Sequence, residues 1–324
     1  MTVLIAPLNW GLGHASRCVP LVQRYLNEGN EVILGGDGES LTLLRRHFPK
    51  LRYVYLAPLR LRYSSGKRQV WAMAKALPHI LIWAWKDHVL LQSLLRNESI
   101  NCVISDNRFG LFSKQTECVY MTHQLHILLP KGWKWAERIV SYFHACVCKR
   151  YNKVWVPDNC EFAESLAGAL SHPDYRFYSK LCSFSYIGPL SRFQINDQLS
   201  SANGKTYDVV AVLSGLEPHR SFLEKEIITR YIGTKDKVIV VQGLIHRPYT
   251  RITLENISIV PYMGDAELAI ILRNANHIIA RSGYSTIMDL KALGVLKKAE
   301  LIPTPGQTEQ EYLAEFHHKR IAKL

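Results

Sequence analysis

The sequence predicts an α/β protein of two consecutive β/α/β domains that face each other across a cleft. Short apolar, β-branched runs alternate with helical segments, the mark of parallel sheets covered by helices. The alternation occurs twice, with a cluster rich in Pro, Gly, Ser and Asn between the two sets. A chain of 324 residues with 48% hydrophobic content has material for about two cores.

In the first half the strand candidates are TVLIA (2–6), EVILG (31–35), NCVIS (101–105), CVYMT (118–122) and KVWVP (153–157). In the second they are YDVVAVL (207–213), KVIVVQ (237–242), ISIVP (257–261), HIIAR (277–281) and AELIP (299–303). The segment SYIGPLSRF (185–193) and the stretch ending NDQLSSANGKTY read as linker and surface loop, which divides the chain into domains 1–187 and 188–324. No repeat of solenoid length and no low-complexity tract is visible.

The opening MTVLIAPLNWG reads as a first strand rather than a leader peptide. Cys18, Cys102, Cys118, Cys146, Cys148, Cys160 and Cys182 form an odd set without zinc spacing, which fits a reducing cytoplasm and argues against metal at Cys146 and Cys148. The net charge of +13 calls for a polyanionic partner. Basic residues outnumber acidic ones chiefly between Arg45 and Lys153, so the excess belongs to the first domain.

Within that domain VWAMAKALPHILIWAWK (70–86) is strongly apolar, but Lys75, Pro78 and His79 interrupt it before it reaches spanning length. Trp71, Trp83 and Trp85, with Lys67, Arg68 and Lys86 nearby, suit a helix lying at an anionic headgroup interface. A buried helix with Trp as packing is the alternative.

The chemistry-bearing residues fall at strand ends. NWGLGHASR (9–17) follows the first strand, with Gly11 and Gly13 permitting a tight turn and close ligand approach. It lacks the third glycine of a dinucleotide fingerprint, because Ser16 stands there, and this disfavours a nicotinamide enzyme. His14 at the helix start is kept neutral by the helix dipole and is a candidate general base, with a structural cap as the alternative. Asp106 of SDNRFG (105–110), at the end of a neighbouring strand, is the carboxylate that would steady its imidazolium, or else a turn former. Asn107 and Arg108, with His123, Gln124 and His126 of THQLHI (122–127), offer donors for an acceptor pocket. Spacing alone does not make the two histidines metal ligands.

In the second half Ser214, Gly215 and Arg220 in SGLEPHR, and Arg281, Ser282, Gly283, Ser285 and Thr286 in RSGYSTIMDLKALG (281–294), form two strand-to-helix turns able to seat a diphosphate. Ordinary punctuation is the alternative. Asp289, one turn beyond Ser285, is placed to accept from a ribose diol.

RSGYSTIMDLKALG followed by LIPTPGQTEQEYLA resembles the C-terminal signature of family 28 glycosyltransferases, the MurG-like group, and GLGH and SGLEPHR resemble that family's glycine-rich loops. SDNRFG, MTHQLH and YIGPLSRF point to a closer set of uncharacterised MurG-like proteins. The resemblance implies a GT-B fold of two Rossmann-like domains and inverting, metal-independent transfer from a UDP-sugar, GlcNAc foremost, to a lipid-linked or glycan acceptor. The expected place is the cytoplasmic face of the cell membrane, with no cofactor. It also implies that Tyr262 and Met263 meet the nucleobase, Asp289 the ribose, Ser282, Gly283, Ser285 and Thr286 the phosphates, and Gln310 and Glu311 the sugar, with Gln242 and Gly243 lining the cleft.

Three departures from the family's pattern stand out. Leu216 replaces a small hydroxyl residue, the stretch from Gly294 to Pro303 is about two residues longer than the usual pattern, and Asp289 replaces glutamate. The final HHKRIAKL leads to the expectation of a short or missing crossover helix. A UDP-sugar epimerase of the same fold is the enzymatic alternative. A basic nucleic-acid binder is disfavoured for want of any such module.

Overall fold

The computed structural model describes residues 1–59, 69–173, 177–195 and 206–322, with the backbone alone for 69–75 and 194–195. Lys67, Arg68 and the stretch 196–205 lie outside the described residues, as do the Trp71 and Lys75 side chains.

The first half runs β1 (Thr2–Pro7), α1 (Gly13–Asn27), β2 (Glu31–Gly36), α2 (Gly38–His47), β3 (Tyr53–Tyr55), α3 (Gln69–Asn97), β4 (Cys102–Asp106), β5 (Glu117–Met121), α4 (Glu137–Cys148), β6 (Lys153–Val156), α5 (Phe177–Leu181) and β7 (Phe184–Tyr186). These strands form one parallel sheet in the order β3-β2-β1-β4-β5-β6-β7. Along β1, Val3 and Ile5 enter the core under α1 and α2, while Leu4 and Ala6 enter the one under α3 and α4. Burial on both faces explains why the strands read as continuous apolar runs.

The second half runs β8 (Val209–Val212), α6 (His219–Tyr231), β9 (Val238–Val241), β10 (Ile252–Leu254), β11 (Ile257–Val260), α7 (Asp265–Asn274), β12 (His277–Arg281), α8 (Tyr284–Ala292), β13 (Ala299–Ile302) and α9 (Thr308–Ile321). Its sheet order is β10-β11-β9-β8-β12-β13, parallel except for β10 against β11. Each sheet reverses its winding beside its first strand, at β1/β4 and at β8/β12, and a crevice opens at the carboxyl ends there.

Three strands escape the sequence reading: β3, β7 and β10, each three residues long. All three lie at sheet edges, where a run that short carries no readable period. The linker reading of 185–193 is corrected at its start, because Ser185 and Tyr186 pair with β6. The final helix does reach the first lobe. Tyr312 Oη accepts from the Ala169 amide (2.8 Å), His317 Nε2 meets the Leu166 carbonyl (2.8 Å), and Arg320 bonds the Ser165 and Ala163 carbonyls.

Helix α3 is continuous through Pro78. Trp83 is buried and donates to the Ala57 carbonyl (2.8 Å), whereas Trp85 is 63% exposed, so one tryptophan packs and the other meets solvent. Among the described residues no helix is long and apolar enough to cross a membrane.

Arg108, expected at the acceptor pocket, is instead wholly buried beneath the first sheet's edge. It bonds both Asp87 oxygens (2.9 and 3.0 Å), Asp37 (2.9 Å) and the Ala57 carbonyl (2.7 Å). This guanidinium ties α3, the start of α2 and the segment following β3 to the end of β4. Removing one member of such a buried cluster strands the others without water. Arg108→Leu should therefore lower the unfolding free energy by about 3–5 kcal/mol in urea titrations; a loss below about 1 kcal/mol would contradict the assigned role.

Candidate functional site

The register that pairs Pro7 with Asp106 sets the end of β1 beside the end of β4, so the turn after β1 lies over the Asp106 carboxylate. Gly11 takes φ +73°, which lets the turn swing back into α1. Helix α1 has no side-chain cap, so the capping alternative for His14 fails and its imidazole is left for other work.

Three residues on, Arg17 is 1% exposed. Its guanidinium forks onto Asp106, with Nε to Oδ2 at 2.8 Å and Nη2 to Oδ1. Nη2 also lies 2.9 Å from His14 Nδ1, and Nη1 lies 3.1 Å from His123 Nδ1. His14 Nδ1 is 3.1 Å from Asp106 Oδ2 as well. The expected His14 and Asp106 pair is thus brought together, with an unforeseen arginine between them.

Burial would raise the Asp106 carboxyl, but Arg17 and then His14 outweigh it and hold the group well below the usual carboxylate range. Burial lowers the His14 imidazole, and Arg17 adds to this against the pull of Asp106, so the ring stays neutral below the ordinary histidine value.

The cluster spans the two lobes. His123 Nε2 meets Glu309 Oε1 of α9 at 2.7 Å, and Gln124 donates to Glu309 Oε2. Burial would raise Glu309, but His123, His14 and Arg17 overcome it and keep the carboxylate ionised below its usual range. Tyr284, at the start of α8, stacks on His123 with ring centres 4.2 Å apart and donates to the Pro157 carbonyl (2.6 Å). A Cβ placed on Gly13 would stand 3.0 Å from Ser285 Oγ, so the first turn of α1 abuts the first turn of α8.

Two cavities flank this contact. The first, about 280 Å³, opens at the carboxyl ends of β8, β9, β11 and β12. It is lined by Gly13 and Ser16 from the first lobe and by Ser214, Gly243, Tyr262, Met263, Ser285, Thr286 and Asp289 from the second. Arg46 lies 4.3 Å over the Tyr262 ring and His47 pairs with Asp265 at 3.4 Å, so the first lobe covers its rim. The second cavity, about 560 Å³, is lined by Gly11, Gly215, Arg220 and Arg247 among others. Hence both strand-to-helix turns of the second lobe reach the first cavity, through Ser214 and through Ser285 and Thr286, while Gly215 and Arg220 of the first turn also face the second cavity; His14 stands at the junction between the lobes, 15% exposed.

Several expected contacts are already taken. Asp289 accepts from Ser191 Oγ (2.6 Å) and sits 3.3 Å from Arg192 Nε; burial raises its carboxyl, with Arg192 opposing. Arg281 is a strut to the His219 and Pro303 carbonyls (2.6 and 2.9 Å), and Ser282 Oγ donates to the Gln310 carbonyl (2.8 Å). Gln310 and Glu311 accept from the Thr304 and Gly306 amides (2.9 and 3.1 Å) and shape their own loop. Gln242 bonds Glu224 (2.7 Å), Arg220 pairs with Glu217, and His126 meets Glu137 (3.3 Å). Asn107, at φ 58°, accepts from Tyr120 Oη (3.0 Å). Gly283 precedes the first turn of α8. Among the described residues no group of three His, Cys, Asp or Glu is placed to hold a metal ion.

The sequence reading missed Arg17, Glu309 and Tyr284, together with Arg46, His47, Asp265 and Arg192 at the cavity rim. Arg17 had one signal, its i,i+3 relation to His14; Glu309 had none, because its partner is far away in the chain.

No protein-family model matches the chain. An uncharacterised glycosyltransferase of Methanosarcina acetivorans is 23% identical over 331 residues, covering 96% of this chain and 82% of the relative. SnogD, a glycosyltransferase from Streptomyces nogalater, superposes with TM-score 0.57 at 14% identity, over 100% of this chain and 96% of its own. The spinosyn rhamnosyltransferase SpnG, solved with thymidine diphosphate, gives 0.55 at 13%, over 100% and 92%. An Arabidopsis thaliana transferase complexed with UDP-L-rhamnose gives 0.53 at 13%, over 99% and 92%. The chain has the GT-B fold. In this GT-B protein the lobes meet through two glycines of the first loop, Gly11 beside Gly215 and Gly13 beside Ser285.

That packing is testable. Gly13→Ala should cost about 1–3 kcal/mol of stability by overpacking the lobe contact, and Ser285→Gly, which removes both atoms it would meet, should recover most of the loss. Failure of the second change to rescue the first in denaturant titrations would show that the lobes do not meet there.

Proposed function

We propose that this GT-B protein is an inverting, metal-independent glycosyltransferase related to family 28, which moves a sugar from a UDP-sugar to a hydroxyl of a lipid-linked or glycan acceptor. GlcNAc is the first candidate sugar. The observation that carries the reading is one arrangement: carboxyl-edge loops of both sheets close on a cavity, and a half-buried imidazole of lowered basicity stands where the two lobes meet.

In this reading His14 takes the acceptor's proton at Nε2 as the oxygen attacks the anomeric carbon, and Asp106 steadies the imidazolium. The bond to the diphosphate breaks on the opposite face, and the amides opening α8 at Ser285 and Thr286 receive the departing charge. Tyr262 and Met263 line the cavity wall, and in this reading they meet the nucleobase. SpnG holds thymidine diphosphate and the Arabidopsis protein UDP-L-rhamnose, which supports a nucleotide-sugar donor here.

The acceptor's lipid would lie against the first lobe. Leu77, Leu81, Trp85 and Val89 recur every fourth residue along α3, and all are exposed. Trp135, Ile139, Tyr142 and Phe143 make a second exposed stripe along α4 and the turn before it, with Lys131, Lys134 and Arg138 exposed among them. Two apolar stripes in a basic setting suit the surface of an anionic bilayer.

A thermal-shift panel of nucleotide sugars should single out one UDP-sugar, through ligand-linked stabilisation. With that donor, release of UDP marks transfer, whereas an altered sugar still bound to UDP marks epimerisation. His14→Ala should lower turnover by roughly 10²- to 10⁴-fold, and unchanged turnover would remove His14 as the base. Because only neutral His14 takes a proton and its value is depressed, activity should persist on acidification until pH falls below the ordinary imidazole range. Co-sedimentation with liposomes should need anionic lipid and weaken with salt; indifference to both would end the membrane assignment.

A further inference from the structure

His14 Nδ1 lies between a group that can only donate and one that can only accept. Arg17 Nη2 is 2.9 Å away in hydrogen-bond geometry, and ionised Asp106 Oδ2 is 3.1 Å away as a close ion-pair contact. One nitrogen cannot satisfy both, because the Arg17 bond needs Nδ1 bare and the Asp106 bond needs Nδ1–H. His123 has no such choice. Its Nδ1 faces Arg17 and its Nε2 faces the Glu309 carboxylate, so its proton sits on Nε2.

We propose that Arg17 is a positioning residue that fixes which ring nitrogen of His14 carries the proton, and that Glu309 of the second lobe steadies Arg17 through His123. The directional bond is the one from Arg17, so the resting ring holds its proton on Nε2 and leaves Nδ1 bare. A His14 in this state presents an N–H donor to the junction of the lobes. It can take a proton at Nε2 only after the neutral ring has exchanged tautomer through water, Nε2 giving its proton to the solvent and Nδ1 taking one from it as it turns from Arg17 to Asp106, an arming step that costs Arg17 one bond of four. Arg17 is free to make that exchange because its fork to Asp106 uses Nε and the other Nη2 hydrogen. Glu309 belongs to α9, so a shift of that helix against the first lobe would withdraw the carboxylate that orients His123, and the change would reach His14 through Arg17.

The tautomer stands independently of the proposed activity; only the arming step rests on His14 being the base. Long-range ¹H–¹⁵N spectra of protein labelled in histidine, at neutral pH and with His14→Gln for assignment, read the ring nitrogens directly. In the unsubstituted protein His14 Nδ1 should resonate as a bare, pyridine-like nitrogen and Nε2 as a protonated one. A protonated Nδ1 there would overturn the proposal without any further variant. Arg17→Met should move a proton onto Nδ1, toward Asp106. Should that variant fail to fold, Asp106→Asn removes the competing carboxylate charge and should leave Nδ1 bare; a proton appearing on Nδ1 in it would count against the proposal. Glu309→Ala should give a mixture at His14, and a spectrum identical to that of the unsubstituted protein would sink the interlobe half. A bare Nδ1 together with full turnover in His14→Ala would uphold the positioning role and end the general-base reading.

Discussion

A guanidinium buried with a carboxylate at the meeting of two lobes is the constraint around which this protein is arranged. Arg17 and Asp106 are respectively 1% and 0% exposed, so neither has water to fall back on. A charge in that position is tolerated only when its partner is present and its remaining hydrogen-bonding capacity is used. Arg17 meets that demand with His14 and His123, and His123 passes it on to Glu309. The electrostatic requirement of one buried pair therefore orients two imidazoles and draws the last helix of the second lobe onto the first.

Glycine makes the same approach possible from the backbone. The turn after β1 runs between the two cavities, and at Gly13 even a methyl group would press on Ser285. The lobes can close on each other at this point because one has no side chain there. Closure in turn places Arg46 and His47 of α2 over Tyr262 and Asp265, so the cavity wall of the second lobe is roofed by the first.

Much of this fold is legible in the primary structure, and the reason is burial. Strands covered on both faces must be apolar at every position, which is why β1, β2, β4, β5, β8, β9 and β12 announce themselves as runs. The three-residue edge strands do not, since pairing on one side leaves them free of that demand. Residues at strand ends were likewise readable: His14 and Asp106 share a crevice because parallel strands bring their carboxyl ends to one edge. Arg108 shows where this logic stops. It too follows a strand, but Asn107 takes a left-handed conformation beside it, and the Arg108 guanidinium goes beneath the sheet to Asp87 and Asp37.

The sequence by itself determined two β/α sets and the strand-end loops that carry the candidate site residues, because hydrophobic period and turn chemistry are local properties; the order of the strands came from the structure. Which polar groups meet was decided only by the tertiary structure. Arg17 and Glu309 are separated by nearly the whole chain, and no local pattern encodes that His123 bridges them. Asp289, Gln310 and Glu311 read as free ligand-binding groups until their neighbours in space, Ser191 and the amides of Thr304 and Gly306, are seen to hold them. A side chain's capacity to bond is written in its identity. Its availability depends on what folding brings within three ångströms of it.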